Sequence, residues 1–293
     1  MIPDEATLQQ AVEAIASADA LLIAAGAGMG VDSGLPDFRG DKGFWKAYPP
    51  YERLGLNFVT LAQPRWFKTD PTLAWGFYGH RMNLYRATRP HAGFAILLEW
   101  VARMRQGAFV YTSNVDGHFH RAGFDPHSIL EVHGSLEWMQ CMNDCGMGVF
   151  DSDSVRITID KETMRAREPL PACPSCGSLA RPNVLFFNDA EWDIQRSYEQ
   201  EVRFNAWLEG LGGARLAIVE CGAGTAVPTV RYLCEHVARN MTRATLIRIN
   251  LRESAVPTGQ LALPSGALDV LRSIDERLSK STPPDPNPKS PIA

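Results

Sequence analysis

Four of the six cysteines in this 293-residue chain fall into two close pairs, a spacing typical of a metal site. Cys141 and Cys145 form the first pair, Cys173 and Cys176 form the second, and a 27-residue spacer separates the pairs. Four thiolates at such spacings can close a tetrahedron around Zn²⁺, and a complete ligand set favours a structural over a catalytic metal. The alternative interpretation is four unrelated buried thiols. The two remaining cysteines are expected to be plain core residues: Cys221 and Cys234.

A glycine-rich loop follows the first apolar run of the chain and indicates nucleotide binding. Its glycines are Gly26, Gly28 and Gly30, placed as in loops that hold a pyrophosphate at the start of a helix. The loop departs from the fingerprint of nicotinamide-dependent dehydrogenases. Val31 stands where the third glycine would be, and no acidic residue follows at the end of a second strand about 20 residues later. Hydride transfer is therefore disfavoured.

Polar side chains follow two further apolar runs. Asn114 and Asp116 come after the run that ends at Thr112, and His133 precedes Gly134 after another short apolar stretch. The carboxyl ends of parallel strands are where α/β folds place ligand contacts, and an imidazole suits general base work near neutral pH. Taken singly, each motif has a simpler interpretation, because Asn-x-Asp often makes only a turn and a lone histidine often satisfies a local hydrogen bond.

The elements that must position these residues alternate along the chain. Residues 5–18 have the spacing of an amphipathic helix. Apolar runs predict buried parallel strands at Ala20–Ala25, Ala108–Thr112, Leu216–Cys221 and 245–250, and helical patterns include 91–105 and Thr229–Asn240. The predicted fold class is therefore α/β, a Rossmann-like, doubly wound parallel sheet.

Two segments interrupt this alternation and predict a second, smaller domain. Residues 44–89 are aromatic and broken by prolines into short helices, and residues 137–182 carry the cysteine pairs. We expect a helical insertion and a zinc-binding module that together form the small domain. The sheet domain is assigned to residues 1–43, 90–136 and 183–279, and the proline-rich residues 280–293 are expected to be disordered.

Composition excludes several classes of partner. A formal net charge of −4 gives no general attraction to nucleic acid or to an anionic membrane. No apolar run approaches the roughly 20 residues of a membrane span, and the acidic start of the chain does not have the pattern of a secretory signal. We expect a cytoplasmic protein that binds neither nucleic acid nor membrane.

In combination, these motifs resemble the sirtuin family of NAD⁺-dependent protein deacylases, and the chain is interpreted as a divergent bacterial-type member. The resemblance covers roughly residues 5–279. The matching segments are, in order, Gly26-Ala27-Gly28, Ser33-Gly34-Leu35-Pro36-Asp37-Phe38-Arg39, Thr112-Ser113-Asn114-Val115-Asp116, His133-Gly134, the four cysteines, Pro182-Asn183-Val184-Leu185-Phe186-Phe187-Asn188-Asp189, Gly222-Ala223-Gly224-Thr225 and Ile249-Asn250.

The resemblance implies NAD as cofactor, one structural zinc ion, and transfer of an acyl group from lysine to ADP-ribose with release of nicotinamide. By this resemblance Asp116 would bind the nicotinamide carboxamide, Asn114 would hold the ribose or a water, and His133 would be the general base on a ribose hydroxyl. The other implied cofactor residues are Gly26, Ala27, Gly28, Asp37, Phe38, Arg39, Ser113, Gly222, Gly224, Thr225, Asn250, Gly266 and Ala267. The residues implied to bind an acylated protein or peptide are Val184, Phe186, Phe187 and Asn188.

Several positions depart from the family pattern and keep alternatives open. Gly30 replaces a serine, Ser113 replaces a glutamine, and Asn188 replaces a glycine that allows close approach of a peptide backbone. An ADP-ribosyltransferase or NAD⁺ glycohydrolase on the same scaffold is therefore the second hypothesis, and a sensor module that binds NAD or ADP-ribose is the third. The helical insertion also carries arginines and tyrosines that either select an acidic acyl group or form a solvated face: Arg65, Tyr78, Arg81, Tyr85 and Arg86.

Overall fold

A six-stranded parallel sheet forms the centre of the computed structural model, which describes residues 4–36, 44–46 and 48–281. The strands are β1 (Ala20–Ala25), β2 (Ala108–Thr112), β3 (Ile129–Glu131), β9 (Leu216–Cys221), β10 (Ala244–Ile249) and β11 (Leu261–Leu263). Their order is β11-β10-β9-β1-β2-β3. The chain therefore runs from β1 to one edge of the sheet and later returns beside β1 to build the other half. This reversal leaves a crevice at the carboxyl ends of the central strands, where open α/β sheets bind ligands.

Helices cover both faces of the sheet. One face packs against α1 (Glu5–Ala16), α6 (Ala92–Val101), the short α7 (His118–Arg121) and α10 (Ala267–Ser281), and the other against α8 (Gln195–Gly210) and α9 (Thr229–Asn240). Every residue of β1 is fully buried between these two layers. A strand that is buried on both sides must be apolar at every position, which is why the central strands are continuous apolar runs in the sequence.

Two separate segments of the chain share a hydrophobic core of their own beside the sheet, and together they are called the small domain. Its helical part contains α2 (Pro49–Arg53), α3 (Phe58–Leu61), α4 (Arg65–Thr69) and α5 (Pro71–Ala87). Its β part contains β4 (Gly134–Cys141), β5 (Val149–Asp151), β6 (Ile159–Asp160), β7 (Arg165–Ala166) and β8 (Ala180–Val184). The two parts pack closely: a Cβ atom added to Gly76 on α5 would lie 2.0 Å from the Met164 carbonyl oxygen. They share one aromatic core, which includes Phe67, Trp75 and Phe186.

The predicted elements agree well with those observed. Strands β1, β2 and β9 have the predicted bounds, and β10 lies one residue earlier than expected. The helix predicted over 91–105 is shorter, because it ends at Val101. The last helix continues to Ser281, beyond the predicted start of a disordered tail at residue 280, and residues 282–293 lie outside the described part. Among the described residues, no helix combines the length and apolar character that a membrane crossing requires.

The candidate active-site cleft

A cleft of about 870 Å³ lies at the carboxyl ends of β1, β2 and β9, between the sheet and the small domain. It brings together most of the residues that the sequence singled out. Twelve of the implied catalytic, cofactor and peptide-binding residues line it: Gly26, Ala27, Ser113, Asn114, Asp116, His133, Val184, Phe186, Phe187, Gly222, Gly224 and Thr225. These positions span two hundred residues of sequence, so only the fold can place them together.

A second recess of about 100 Å³ adjoins the cleft and shares Gly222 and Arg252 with it. Four further predicted residues line this recess: Gly28, Asn250, Gly266 and Ala267. The predicted residues Asp37, Phe38 and Arg39 lie outside the described residues. Asn188 lines neither space, because it is exposed in a turn beside the cleft.

Close contact between two loops explains the glycines at the floor of the cleft. The N–H of Gly28 donates to the carbonyl of Gly222 at 3.0 Å, which joins the loop after β1 to the loop after β9. A Cβ atom on Gly222 would lie 2.4 Å from the Gly28 backbone, and one on Gly26 would lie 2.7 Å from the Ala223 Cα atom. Larger residues would therefore separate the loops. After Gly26 the chain forms a short 3₁₀ helix, Ala27–Ser33, which Gly34 ends in the left-handed conformation.

Asn114 and Asp116 are held by the backbone around them. The Asn114 side-chain amide donates to the Gly26 carbonyl at 3.0 Å, so this residue ties the end of β2 to the glycine loop. One Asp116 carboxylate oxygen accepts from the His118 backbone N–H at 2.9 Å. The other faces Gly30: it would lie 3.7 Å from a Cβ atom at that position. Gly30 thus leaves space beside the carboxylate.

His133 lies on the wall of the same cleft, directly after β3. Burial lowers the pKa of His133 from its ordinary value of 6.5, and a hydrogen bond with the Ser113 backbone partly opposes this shift. The imidazole is therefore neutral near pH 7 and able to accept a proton. Gly134 adopts a positive φ of 73° and brings the chain against β8, so that a Cβ atom there would lie 2.0 Å from the Asn183 carbonyl oxygen.

The Asn250 side chain holds the backbone of two loops, through its amide and through its oxygen. Its side-chain amide donates to the Ala223 carbonyl at 2.8 Å, and its side-chain oxygen accepts from two backbone N–H groups of the following loop. That loop also places the Glu253 carboxylate against Thr225, whose hydroxyl and backbone N–H both donate to it. Sequence analysis missed Glu253. The sequence did offer a signal for it, because Glu253 is a polar residue shortly after the strand predicted at 245–250, and ligand-binding loops follow strand ends.

Arg231, also missed by sequence analysis, supports these loops from below. It is buried on α9, and its guanidinium donates to the carbonyls of Ala223, Glu253 and Ala255 at 3.4, 2.8 and 3.0 Å. An arginine on an amphipathic helix normally indicates a solvated face, so the pattern gave no signal for this role.

Arg81 is the arginine of the helical insertion that lines the cleft. It is 7% exposed, its guanidinium donates to the Tyr85 hydroxyl at 3.0 and 2.7 Å, and its Cζ atom lies 5.3 Å from the Phe77 ring centre. Burial lowers the pKa of Arg81, but the surrounding tyrosines more than offset this and the pKa is raised. The group therefore stays cationic. Tyr78 and Tyr85 line the cleft beside it.

The other two arginines have different surroundings. Arg65 is exposed and stacks on Trp66 with its Cζ atom 4.9 Å from the ring centre. Arg86 donates to the carbonyls of Ser152 and Val155. Neither lines the cleft. Helical phase explains the difference, because Arg81 shares its face of α5 with Tyr78 and Tyr85 at i−3 and i+4.

The segment after β8 forms the opposite wall. Phe186 stacks on Phe67 with ring centres 5.7 Å apart, and the N–H of Phe187 donates to the Ala62 carbonyl at 2.9 Å. The following turn is anchored by Asp189, whose carboxylate pairs with Arg181 at 2.6 and 3.1 Å in a fully buried ion pair. Asn188 has a φ of 56°, the left-handed conformation that asparagine tolerates better than most residues. Asparagine thus replaces glycine without preventing this turn.

The four paired cysteines come together in the small domain. All four Sγ atoms lie within 4.8 Å of one another, with Cys141 3.5 Å from Cys176 and Cys145 3.6 Å from Cys173. Tetrahedral Zn–S bonds of about 2.3 Å separate sulfur atoms by nearly 4 Å, so the donor set fits Zn²⁺. Cys141 ends the eight-residue strand that begins beside His133, so roughly 25 Å of extended chain separates the cluster from the cleft histidine. Cys221 and Cys234 are fully buried elsewhere.

Comparison with known proteins gives a consistent result. The profile described as "Sir2 family" matches residues 26–208. An NAD-dependent protein deacylase 2 of Pyrobaculum aerophilum is 31% identical over 91% of this chain and 94% of that protein. The NAD-dependent protein deacylase sirtuin-5, mitochondrial, of Danio rerio is 34% identical over 65% of this chain, but the match spans only 64% of the zebrafish protein, less than two thirds.

A solved structure, the crystal structure of a Sir2 homolog–NAD complex, superposes with a TM-score of 0.69 at 26% identity and covers 93% of this chain and 94% of that one.

Proposed function

This chain belongs to the Sir2 family, and from that premise we propose that it is an NAD-dependent protein-lysine deacylase. The substrate would be an acylated protein or peptide, and the acyl group would pass to ADP-ribose as nicotinamide leaves. One observation carries the proposal: a neutral imidazole after β3 shares one cleft with a carboxylate and a side-chain amide after β2 and with the glycine loops of β1 and β9.

Each group in the cleft has a distinct part in this reaction. NAD⁺, a substrate that is consumed, supplies a sugar carbon whose bond to a pyridinium leaving group can break. Asp116 can accept hydrogen bonds from the leaving group's carboxamide, and Asn114, which is hydrogen-bonded to the glycine loop, orients the ribose. His133 accepts a proton from a ribose hydroxyl, because its lowered pKa keeps the imidazole unprotonated. The apolar walls, which include Phe186 and Phe187, exclude water from the reacting carbon.

Incubation with NAD⁺ and a panel of acyl-lysine peptides, followed by mass spectrometry, tests the proposal. Acyl-ADP-ribose and free lysine are expected. Protein-bound or free ADP-ribose without loss of acyl groups would instead support the transferase or glycohydrolase hypothesis, and unchanged NAD⁺ would support a sensor. For the proposed roles, His133→Ala is expected to lose deacylation by about 10²- to 10⁴-fold. A His133→Ala enzyme with full activity would contradict the assignment.

We further propose that the preferred acyl groups are acidic, because Arg81 places a buried, permanently charged guanidinium on the cleft wall beside two tyrosine hydroxyls. Such a fork of donors matches a carboxylate better than an aliphatic end. Arg81→Met is expected to raise KM for succinyl- or glutaryl-lysine peptides by about tenfold or more and to leave acetyl-lysine KM nearly unchanged. Arg65→Met is the control, since Arg65 lies on the same insertion and away from the cleft. Equal effects of Arg81→Met on both peptide classes would contradict this specificity.

We propose that the four clustered cysteines hold one structural zinc ion as thiolates. The metal would join the two ends of the zinc module and supply no chemistry at the cleft. Free thiolates are stable in a reducing compartment, so the cytoplasm is the proposed location.

A further inference from the structure

We propose that Glu137 is a positioning residue that holds the Asp116 segment of the cleft against the small domain. The inference rests on the proposed function, because it assigns Asp116 to the nicotinamide end of the site. Glu137 lies on β4 and does not line the cleft itself. Its carboxylate lies between two arginines that belong to different domains, and one of these contacts the backbone of Asp116.

The first arm of this arrangement reaches the sheet domain. A Glu137 carboxylate oxygen lies 3.3 Å from Arg121, and Arg121 donates with its other terminal nitrogen to the Asp116 carbonyl at 2.7 Å. The aliphatic part of Glu137 also packs on the turn after Asp116, since its Cγ atom would lie 3.0 Å from a Cβ atom at Gly117. Next to it, the N–H of Leu136 donates to the Val115 carbonyl at 3.0 Å.

The second arm reaches the helix that carries the acyl-site residues. The other Glu137 carboxylate oxygen lies 3.7 Å from Arg86 near the end of α5. Arg86 is fixed by Ser152, whose carbonyl and hydroxyl accept at 2.7 and 2.6 Å. The Ser152 N–H in turn donates to the Glu137 carbonyl at 3.0 Å. Helix α5, β4 and the Asp116 segment are therefore joined through one carboxylate.

Charge explains why a carboxylate is needed here. Arg86 and Arg121 face the same side chain, and without its negative charge two guanidinium groups would repel each other across a partly dry gap. Burial lowers the pKa of Arg121, nearby Arg86 lowers it further, and Glu137 acts in the opposite direction. Removal of the charge would displace Arg121 from the Asp116 carbonyl and loosen the segment that carries the Asp116 carboxylate.

Glu137→Gln keeps the shape of the side chain and removes its charge. We expect KM for NAD⁺, and the nicotinamide concentration that half-inhibits the enzyme, each to rise about three- to tenfold, with kcat changed less than twofold. Arg121→Lys is an independent second variant, because a single ammonium cannot bind Glu137 and the Asp116 carbonyl with the same fork. It is expected to change the same two quantities.

Asp70→Asn is the matched control. Asp70 pairs with Arg165 and has the same side-chain exposure as Glu137, 27%, but both partners lie within the small domain. A merely structural role would lower the stability of both variants alike and leave KM for NAD⁺ unchanged. The proposal is overturned if Glu137→Gln and Arg121→Lys retain wild-type constants, or if Asp70→Asn shifts them equally.

NAD⁺ affinity by calorimetry without peptide separates this inference from the proposed function. A wild-type chain that binds NAD⁺ but does not deacylate would contradict the function only. Equal calorimetric affinity for wild type and Glu137→Gln would contradict the positioning role.

Discussion

At the scale of single residues, the surroundings of a side chain decide its chemistry, and His133 gives a direct prediction. Burial lowers the pKa of His133 below 6.5, and the neutral form is the one that can act as a base. As pH falls through that lowered pKa, the imidazole gains a proton and the rate falls. We therefore expect kcat/KM to be level above pH 6.5 and to decrease only below it, measured between pH 5 and pH 8.5.

His80→Gln controls for a general effect of buried histidines. Burial also lowers the pKa of His80, which bonds with Tyr48 and does not line the cleft. If the acidic decrease came from loss of folded protein, replacement of His80 would shift it as well. A decrease of kcat/KM with its midpoint above pH 6.5 would contradict the predicted neutral state of the His133 imidazole.

Three arginines of the helical insertion have roles that the sequence around them does not reveal. Arg65, Arg81 and Arg86 occur in one aromatic segment and have the same local signal. The structure separates them into an exposed residue, a cleft residue and a residue that joins the helical and β parts of the small domain. Their roles depend on helical phase and on partners up to about 70 positions away, such as Ser152 and Val155, which no local pattern encodes.

At the scale of elements, close backbone approach fixes the connection between β3 and β4. Gly134 has a positive φ, and a Cβ atom there would lie 2.0 Å from the Asn183 carbonyl oxygen, which belongs to a paired strand and cannot move freely. Gly134→Ala is expected to lower the free energy of unfolding by about 3 kcal/mol or more, from backbone strain plus overlap. Urea unfolding followed by circular dichroism measures this, and activity should fall because His133 is adjacent.

Gly212→Ala provides the comparison for that prediction. Gly212 also has a positive φ, of 53°, but among the described residues no atom beyond its two chain neighbours lies within 4 Å of the position that its Cβ would take. Its replacement should cost only the strain of the left-handed conformation, about 1 kcal/mol. Equal losses for the two variants would show that the overlap at Gly134 is relieved cheaply and would contradict the argument.

The same contrast between local and long-range information explains which elements the sequence predicts. Strands β1, β2 and β9 are continuous apolar runs because they are buried on both faces, and the ends of these runs in the sequence predict the bounds of the strands. The three-residue strands Ile129–Glu131 and Leu261–Leu263 are too short for any periodicity to emerge. They are strands because parallel neighbours pair with them across the sheet.

At the scale of the whole molecule, the candidate site belongs to two cores at once. The small-domain core contains the cleft residues Tyr78, Val184 and Phe186, while the glycine loops rest on the cores of the sheet domain. The order of motifs along the chain was enough to predict that these residues share a cleft. The way in which Glu137, Arg181 and Arg231 support its walls depends on tertiary contacts that the motifs do not contain.

The cysteine cluster gives the prediction at this scale, because it joins the far ends of the strands whose near ends form the cleft wall. Cys141 ends β4, Cys173 and Cys176 precede β8, and β8 leads directly to Phe186. Loss of zinc should release this end of the β4–β8 pair and disorder the aromatic wall first. We expect chelation to lower Tm by about 10 °C and to raise KM for acyl-peptide more than KM for NAD⁺, because the glycine loops proposed to bind NAD⁺ lie on the central sheet.

Metal content, thermal unfolding and steady-state kinetics, all measured on the same samples, test this prediction. Added Zn²⁺, but not Mg²⁺, should restore both the Tm and the KM for acyl-peptide. A metal-depleted protein with unchanged Tm and unchanged peptide KM would show that the four sulfur atoms do not maintain the cleft.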